Sequence, residues 1–167
     1  MNKILVIGCP GSGKTTLSYT LSEKLHLPLI HLDQLHWQEN WQPLPHETFD
    51  RLLLEECQKP CWIIDGNYNR TIPLRLQYCD TVIFLDFPRR ICLYRVFLRI
   101  ITNYGKTRPD MGNHCPEHFD IDFFKFIWDF QNKNVPRYYE LFKDFPNIKV
   151  IVLKNSKEVS KFLKNIK

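Results

Sequence analysis

The sequence predicts an α/β fold in which a five-stranded parallel sheet carries helices on both faces. Five short, largely uncharged apolar runs rich in β-branched residues alternate with longer amphipathic stretches along the 167 residues. Such alternation is typical of doubly wound sheets whose strands are buried on both sides. The composition, 44% hydrophobic and 25% charged, provides enough apolar residues for one core. We therefore expect residues 1–167 to form a single domain.

Each element can be placed from its residue pattern. The apolar runs predict strands at 3–7, 29–32, 61–64, 81–85 and 148–153. Amphipathic spacing predicts helices at 14–25, 47–58, 88–103 and 157–165. The phenylalanine-rich stretch 119–130 also has the spacing of a helix packed on the sheet.

Two segments interrupt this alternation. Residues 34–46 contain two tryptophans and two prolines, and residues 104–120 are polar, with glycine, proline and histidine. Loops that follow strands and helices carry the substrate sites of α/β folds. We therefore interpret residues of about 33–58 as an acceptor-site insertion and those of about 104–120 as a lid.

The charge balance favours an anionic ligand without indicating a dedicated nucleic-acid-binding protein. Lysine plus arginine total 23 and aspartate plus glutamate total 18, a formal charge of +5. The six cysteines are scattered without a CxxC pair, and no apolar stretch approaches the roughly 20 residues of a membrane span. The chain opens with no signal-peptide pattern. We expect a cytoplasmic protein with reduced thiols and no membrane partner.

A phosphate-binding motif stands near the start of the chain. Residues 8–15 match GxxxxGK[ST], the P-loop motif, between a predicted strand and a predicted helix. Its glycines let consecutive backbone N–H groups form an anion nest at the positive end of the helix. Lys14 can then reach the β- and γ-phosphates as a catalytic group, and the Thr15 hydroxyl can bind Mg²⁺. The predicted ATP-binding residues here are Gly8, Cys9, Pro10, Gly11, Ser12, Gly13, Lys14, Thr15 and Thr16.

A magnesium site at a P-loop also requires an acid at the end of a neighbouring strand. Asp65 and Asp86 each follow such a strand. We favour Asp65 as the metal ligand because Gly66 permits close backbone approach, whereas Asp86 precedes Pro88 and fits a structural role at a helix start. Asp33, after the second strand, would either recognise or deprotonate an acceptor hydroxyl or cap a turn.

A series of cations follows the fourth predicted strand. Arg95 and Arg99 are four residues apart on one helix face, where two guanidinium groups suit a migrating phosphoryl group. Residues 105–112 have glycine at both ends and cations between them, as a closing loop requires. The alternative is a solvated basic face. The neighbouring P-loop favours a catalytic role for Arg95 and Arg99.

These motifs together resemble those of adenylate-kinase-like P-loop kinases, and more closely those of the bacterial DNA topology modulation proteins. The resemblance covers nearly the whole chain. It rests on the segments GCPGSGKTT, HLDQLHW, IIDGNYNR, RVFLR, KTRPDMG and CPEHFD. It implies the P-loop nucleoside triphosphate hydrolase fold with an adenylate-kinase-like lid insertion. The family label also implies an effect on DNA, although none of these residues indicates DNA recognition.

The resemblance implies a role for several residues. Asp65 corresponds to the magnesium-shell acid and Arg70 to the arginine that binds the acceptor phosphate, although one extra residue separates the two here. Arg95 and Arg99 correspond to the arginine pair entering the lid, and Arg108 resembles a lid arginine that binds ATP. The chain departs from nucleoside monophosphate kinases after the second strand, where Asp33 is more like the aspartate of kinases whose acceptor is a hydroxyl group.

The sequence therefore predicts a kinase that transfers the γ-phosphoryl group of ATP, with Mg²⁺, to a small acceptor. The acceptor is a nucleoside monophosphate, which would need Arg70, or a hydroxylated metabolite, which would need Asp33 as base. Asn67 and Trp37 complete the expected acceptor site, and Trp37 would either stack on a ring or pack the insertion. The alternative is a nucleotide-dependent regulatory protein that affects DNA topology without kinase activity.

Overall fold

A computed structural model describes residues 1–112 and 114–166, so that position 113, within the predicted lid, and position 167 lie outside the described residues. The strands are β1 Lys3–Gly8, β2 Leu29–His31, β3 Trp37–Gln38, β4 Gln42–Pro43, β5 Trp62–Asp65, β6 Thr81–Leu85 and β7 Lys149–Leu153. The helices are α1 Lys14–Leu25, α2 Leu32–His36, α3 His46–Gln58, α4 Ile72–Leu76, α5 Arg89–Asn103, α6 Ile121–Lys143 and α7 Ser156–Asn165.

The predicted sheet is confirmed. Within the described residues, five parallel strands pair in the order β2-β5-β1-β6-β7. The central strand β1 has no exposed surface from Ile4 to Ile7, because it has a neighbour on each edge and helices on both faces. In the register, Val6 lies between Asp65 of β5 and Ile83 of β6. The parallel direction places the ends of β1, β2 and β5 at one edge of the sheet, where ligands bind in such folds.

Helix α6 extends the helix predicted at 119–130 by more than three turns, to Lys143. Asp120 caps its start, where the carboxylate accepts hydrogen bonds from the backbone N–H groups of Asp122, at 2.8 Å, and Phe123, at 3.2 Å. The helix continues because a buried stripe repeats at four-residue spacing through Phe130, Asn134, Tyr138 and Phe142. No helix in the described ranges is long and apolar enough to cross a bilayer.

The acceptor-site insertion contains α2, the β3–β4 hairpin and α3, and it packs on the lid. The Trp41 indole N–H donates to the Pro116 carbonyl at 3.2 Å, and the Cys115 thiol donates to the Gln38 carbonyl at 3.2 Å. A Cβ at Gly112 would collide with the carbonyl oxygen of Trp37, so only glycine permits this approach. The two segments that interrupt the sequence pattern are thus neighbours in space.

Candidate functional site

A cavity of about 770 Å³ opens at the carboxyl edge of the sheet, beneath the lid. Its size is in the usual range for a small-molecule site. We call one side the P-loop wall, formed by Pro10, Gly11, Gly13, Lys14, Thr15 and Thr16 together with Arg95, Arg99 and Arg108. We call the other the strand-end wall, formed by Asp33, Trp37, Asp65, Gly66, Asn67 and Tyr68.

The P-loop wraps around the start of α1. The Lys14 ammonium donates to the carbonyls of Gly8, at 2.9 Å, and Cys9, at 3.2 Å. Gly11 has a φ of 80°, and a Cβ there would lie 2.5 Å from the Cys92 carbonyl oxygen, so the loop requires glycine at this position. Of the predicted loop residues, Gly8, Cys9 and Ser12 lie behind the cavity surface, and the others line it.

Arg95 and Arg99 of α5 both face the cavity, as the shared helix face predicts. Arg95 donates to the Ser12 carbonyl at 3.2 Å and to the Ser156 hydroxyl at 3.0 Å. Arg99 pairs with Glu117, with 3.0 Å between Nε and Oε1. Burial, followed by the charge of Arg108, lowers the pKa of Arg99. These cations lie beside the P-loop, where they can face phosphate charge.

Three acids of the lid line the cavity, Asp110, Glu117 and Asp120, and none of them was predicted as a site residue. Arg108 pairs with Glu117 at 2.7 Å and with Asp110 at 3.2 Å. The Thr15 hydroxyl donates to Asp110 Oδ2 at 3.1 Å, so the lid lies directly on the P-loop. Asp110 is the one carboxylate of KTRPDMG and follows two cations, which was an available signal. Glu117 shares CPEHFD with Asp120 and no lysine or arginine, so the sequence offered no such signal for it.

Asp33 lies in the strand-end wall in the same cavity as Lys14. The Tyr68 hydroxyl donates to Asp33 Oδ1 at 2.7 Å. Burial raises the pKa of Asp33 and the neighbouring Asp65 adds to the rise, while the hydrogen bond from Tyr68 and the charge of Lys14 oppose it. The carboxyl group is therefore positioned by Tyr68 and is more basic than an ordinary aspartate. Tyr68 was not predicted as a site residue.

Asp65 and Asp86 occupy different surroundings. Asp65 lines the cavity, is 5% exposed, and has its Oδ2 3.1 Å from Nδ1 of His31, the residue beside it in the sheet register. Asp86 does not line the cavity, and its Oδ2 accepts a hydrogen bond from the Tyr139 hydroxyl at 3.2 Å. Of Asp65 and Asp86, only Asp65 shares the cavity with Thr15.

Arg70 is not brought to the cavity, in contrast to the expected contact with an acceptor phosphate. Its guanidinium makes two hydrogen bonds to Asp50 of α3, at 2.6 and 2.7 Å, and its side chain is 47% exposed. Tyr68 adopts a left-handed conformation with a φ of 41°. This turn, together with the extra residue after Asp65, directs Arg70 outward towards α3.

A buried arginine holds the loop between β5 and α4. Arg75 has no exposed surface and donates to the carbonyls of Gly66, at 2.7 Å, Asn67, and Tyr68, at 3.2 Å. Burial lowers its pKa to about 10. The Asn67 amide oxygen accepts from the Gly8 N–H at 3.0 Å, which ties this loop to the P-loop. The strand-end wall is therefore fixed against the P-loop by hydrogen bonds.

The residues present fit a nucleoside triphosphate with Mg²⁺. A Cβ at Gly13 would meet only Arg95, at 3.8 Å, so there is open space between the loop and that guanidinium. The Thr15 hydroxyl and the carboxylate of Asp65 are oxygen ligands of the kind that Mg²⁺ prefers.

Structural comparison places the fold among P-loop kinases. The chain is similar to a shikimate kinase from Acinetobacter baumannii in complex with shikimate, with a TM-score of 0.66 and 16% identity. The match covers 99% of this chain and 90% of the other. A shikimate kinase from Bacteroides thetaiotaomicron matches over 96% and 93%, with a TM-score of 0.56 and 17% identity. No protein-family model and no curated protein sequence matches the chain. At these identities the likeness concerns the fold.

Proposed function

We propose that the protein is an ATP-dependent phosphotransferase that moves the γ-phosphoryl group of Mg-ATP to a hydroxyl group of a small acceptor. The observation that carries the proposal is the position of Asp33. A carboxyl group of raised pKa, held by the Tyr68 hydroxyl, shares one cavity with Lys14 and Thr15. A base opposite a phosphate-binding loop is the arrangement that transfer to a hydroxyl requires.

Each wall would have its own part in the reaction. Lys14, Arg95, Arg99 and Arg108 would bind and orient the triphosphate and stabilise the charge on the transferred group. Thr15 and Asp65 would hold Mg²⁺, which supplies further charge neutralisation when bound. Asp33 would accept the hydroxyl proton of the acceptor, and the lid would exclude water from the cavity.

The same geometry supports the kinase over the nucleotide-dependent regulator that would act on DNA. A DNA surface needs exposed cations. Here Arg95, Arg99 and Arg108 face the cavity, and the exposed side of α5 carries large apolar residues such as Tyr94 and Ile101. Three cations of the series, Arg95, Arg99 and Arg108, would therefore contact phosphate groups of a small ligand, whereas Arg90 and Lys106 are exposed outside the cavity.

The experiment compares Lys14→Ala with Lys24→Ala, which removes an exposed lysine from the last turn of the same helix. ATP affinity is measured by calorimetry, and ADP release is measured with a panel of small hydroxylated acceptors. We expect Lys14→Ala to weaken ATP binding and transfer by about 10²-fold or more, because it removes the charge facing the phosphates. Equal ATP affinity in the two folded variants would refute the site.

A further inference from the structure

The two walls carry opposite charge. The P-loop wall contains Lys14 and three arginines, whereas the described residues of the strand-end wall include two acids, Asp33 and Asp65, and no cation. An acceptor lies across from the triphosphate, against the strand-end wall. The charge of that wall therefore restricts the charge that the acceptor can carry.

We propose, resting on the kinase function proposed above, that the acceptor is an uncharged alcohol that carries a planar ring. Phosphate monoesters and carboxylic acids are then disfavoured as acceptors. An anionic group beside the Asp33 carboxylate would be placed in a partly buried site against a like charge, which is unfavourable without a paired cation. A hydroxyl group instead donates its proton to Asp33 and needs no counter-charge.

Three arginines on elements adjoining the strand-end wall, Arg51, Arg70 and Arg75, make other contacts. Arg70 is held by both carboxylate oxygens of Asp50 outside the cavity, and Arg51 pairs with Glu55 at 3.1 Å on the exposed side of α3. Arg75 is fully buried and donates to three backbone carbonyls that shape the loop. Turning it inward would leave those carbonyls unsatisfied. These three arginines are therefore not available to an anionic acceptor. The positive charges that reach Asp33 are those of Lys14 and Arg108 in the P-loop wall, which the triphosphate would engage.

The aromatic residues of the strand-end wall suit a ring. Trp37 lines the cavity, and its indole is held edge-on by Trp41, at 5.5 Å between ring centroids, and by His36, at 4.8 Å. Tyr68 lines the cavity beside it and packs against His36 at 4.8 Å. Rings fixed in this way provide a preorganised surface for a planar group.

The proposed phosphoryl transfer involves the acceptor hydroxyl, ATP, Asp33 and water. A bond forms between the acceptor oxygen and the γ-phosphorus, and the bond from that phosphorus to the bridging oxygen of ADP breaks. The bonding electron pair leaves with ADP. The hydroxyl proton passes to Asp33 and then to water, so the products are a phosphate monoester and ADP.

The test uses acceptor pairs that differ mainly in charge. Adenosine, guanosine, cytidine and thymidine are each compared with their 5′-monophosphates, and the methyl ester of shikimate with shikimate. ADP release gives kcat/KM, and mass spectrometry identifies the product. We expect kcat/KM for a neutral ring alcohol to exceed that of its anionic partner by at least about 100-fold.

The outcomes separate this inference from the kinase function. Preference for an anionic member would overturn the neutral acceptor class while leaving the phosphotransferase proposal in place. Transfer to none of these compounds, by protein that binds ATP, would overturn both. Binding of the acceptor to protein saturated with a non-hydrolysable ATP analogue provides the second readout of the same preference.

The ring contact is tested separately with Trp37→Ala. We expect KM for the neutral acceptor to rise at least about tenfold while KM for ATP stays within about twofold, because Trp37 belongs to the strand-end wall. Trp128→Ala is the matched control, since Trp128 is 53% exposed on α6 and does not line the cavity. Trp37→Leu retains an apolar side chain if the alanine variant is unstable. An unchanged acceptor KM in Trp37→Leu and Trp37→Ala would overturn the ring contact.

Discussion

The P-loop wall and the strand-end wall face each other across one cavity, but they are built in different ways. Six of the seven residues 10–16 belong to the P-loop wall, and their backbone would carry the binding of phosphate. The strand-end wall assembles residues from the ends of β2 and β5 and from the hairpin, and its side chains would carry the binding of the acceptor. A contiguous wall can be found in the sequence as a motif, whereas an assembled one depends on how distant segments meet.

The two walls also differ in charge. The P-loop wall is cationic, and Asp110 and Glu117 of the lid neutralise part of that charge through Thr15, Arg99 and Arg108. The carboxylates of the strand-end wall are placed near each other instead of being paired with arginines. On the proposed function, one wall would select an anion by attraction and the other would select against an anion by repulsion.

Among the substitutions that distinguish the two walls, Asp33→Asn should have the largest effect on kcat. The amide keeps the shape of the side chain but cannot accept the acceptor proton, so kcat should fall by roughly 10²–10⁴-fold. ATP affinity, measured by calorimetry, should stay unchanged because the P-loop wall is intact. If steady-state kinetics show an unaltered kcat, Asp33 caps a turn and the strand-end wall has no base.

Asp65→Asn should weaken the activating Mg²⁺ affinity by about 10–100-fold, since it removes an acid that positions the metal at Thr15. The matched control is Asp86→Asn, which alters a strand-end acid outside the cavity. The measurement is the magnesium dependence of ADP release, with melting temperature recorded for both variants. A larger effect of the control would reverse the assignment of the two aspartates.

Tyr68→Phe tests whether the Tyr68 hydroxyl lowers the pKa of Asp33, the proposed base of the strand-end wall. The hydrogen bond from Tyr68 lowers the pKa of Asp33, and burial raises it. The base works as a carboxylate, so activity is present above this pKa and lost as the pH falls through it. Removing the hydroxyl should therefore move the acidic limb of the kcat/KM profile to higher pH.

The control for this shift is Tyr78→Phe, which removes a phenol hydroxyl outside the cavity. Its acidic limb should coincide with that of the unmodified protein. A limb that moves to lower pH in Tyr68→Phe, or does not move, would show that Tyr68 does not act on the base.

The smallest effect is expected from Arg70→Ala. Its ion pair with Asp50 is exposed, and such pairs contribute little to stability. Acceptor KM should change by less than about twofold, because the guanidinium lies outside both walls. A tenfold rise in acceptor KM, measured with the best acceptor, would bring Arg70 into the site and break the distinction between the walls.

Much of this site was predictable because its signals are local. The P-loop motif occupies consecutive positions, and the alternation of apolar runs with helices is sufficient to predict a parallel sheet. Once the sheet is parallel, strand ends meet at one edge, so the placement of Asp33 and Asp65 near the P-loop follows. The shared face of Arg95 and Arg99 follows from helical spacing alone.

The parallel sheet, the phosphate-binding loop and the sheet edge at which the candidate site lies can thus all be predicted from the sequence. Only the tertiary structure decided the contacts between Tyr68 and Asp33, 35 residues apart, and between Thr15 and Asp110, 95 residues apart. It also decided that Arg70 turns outward to Asp50, since one left-handed residue redirects the chain. Motifs and periodicities record local geometry, whereas pairings across long separations depend on how whole elements pack.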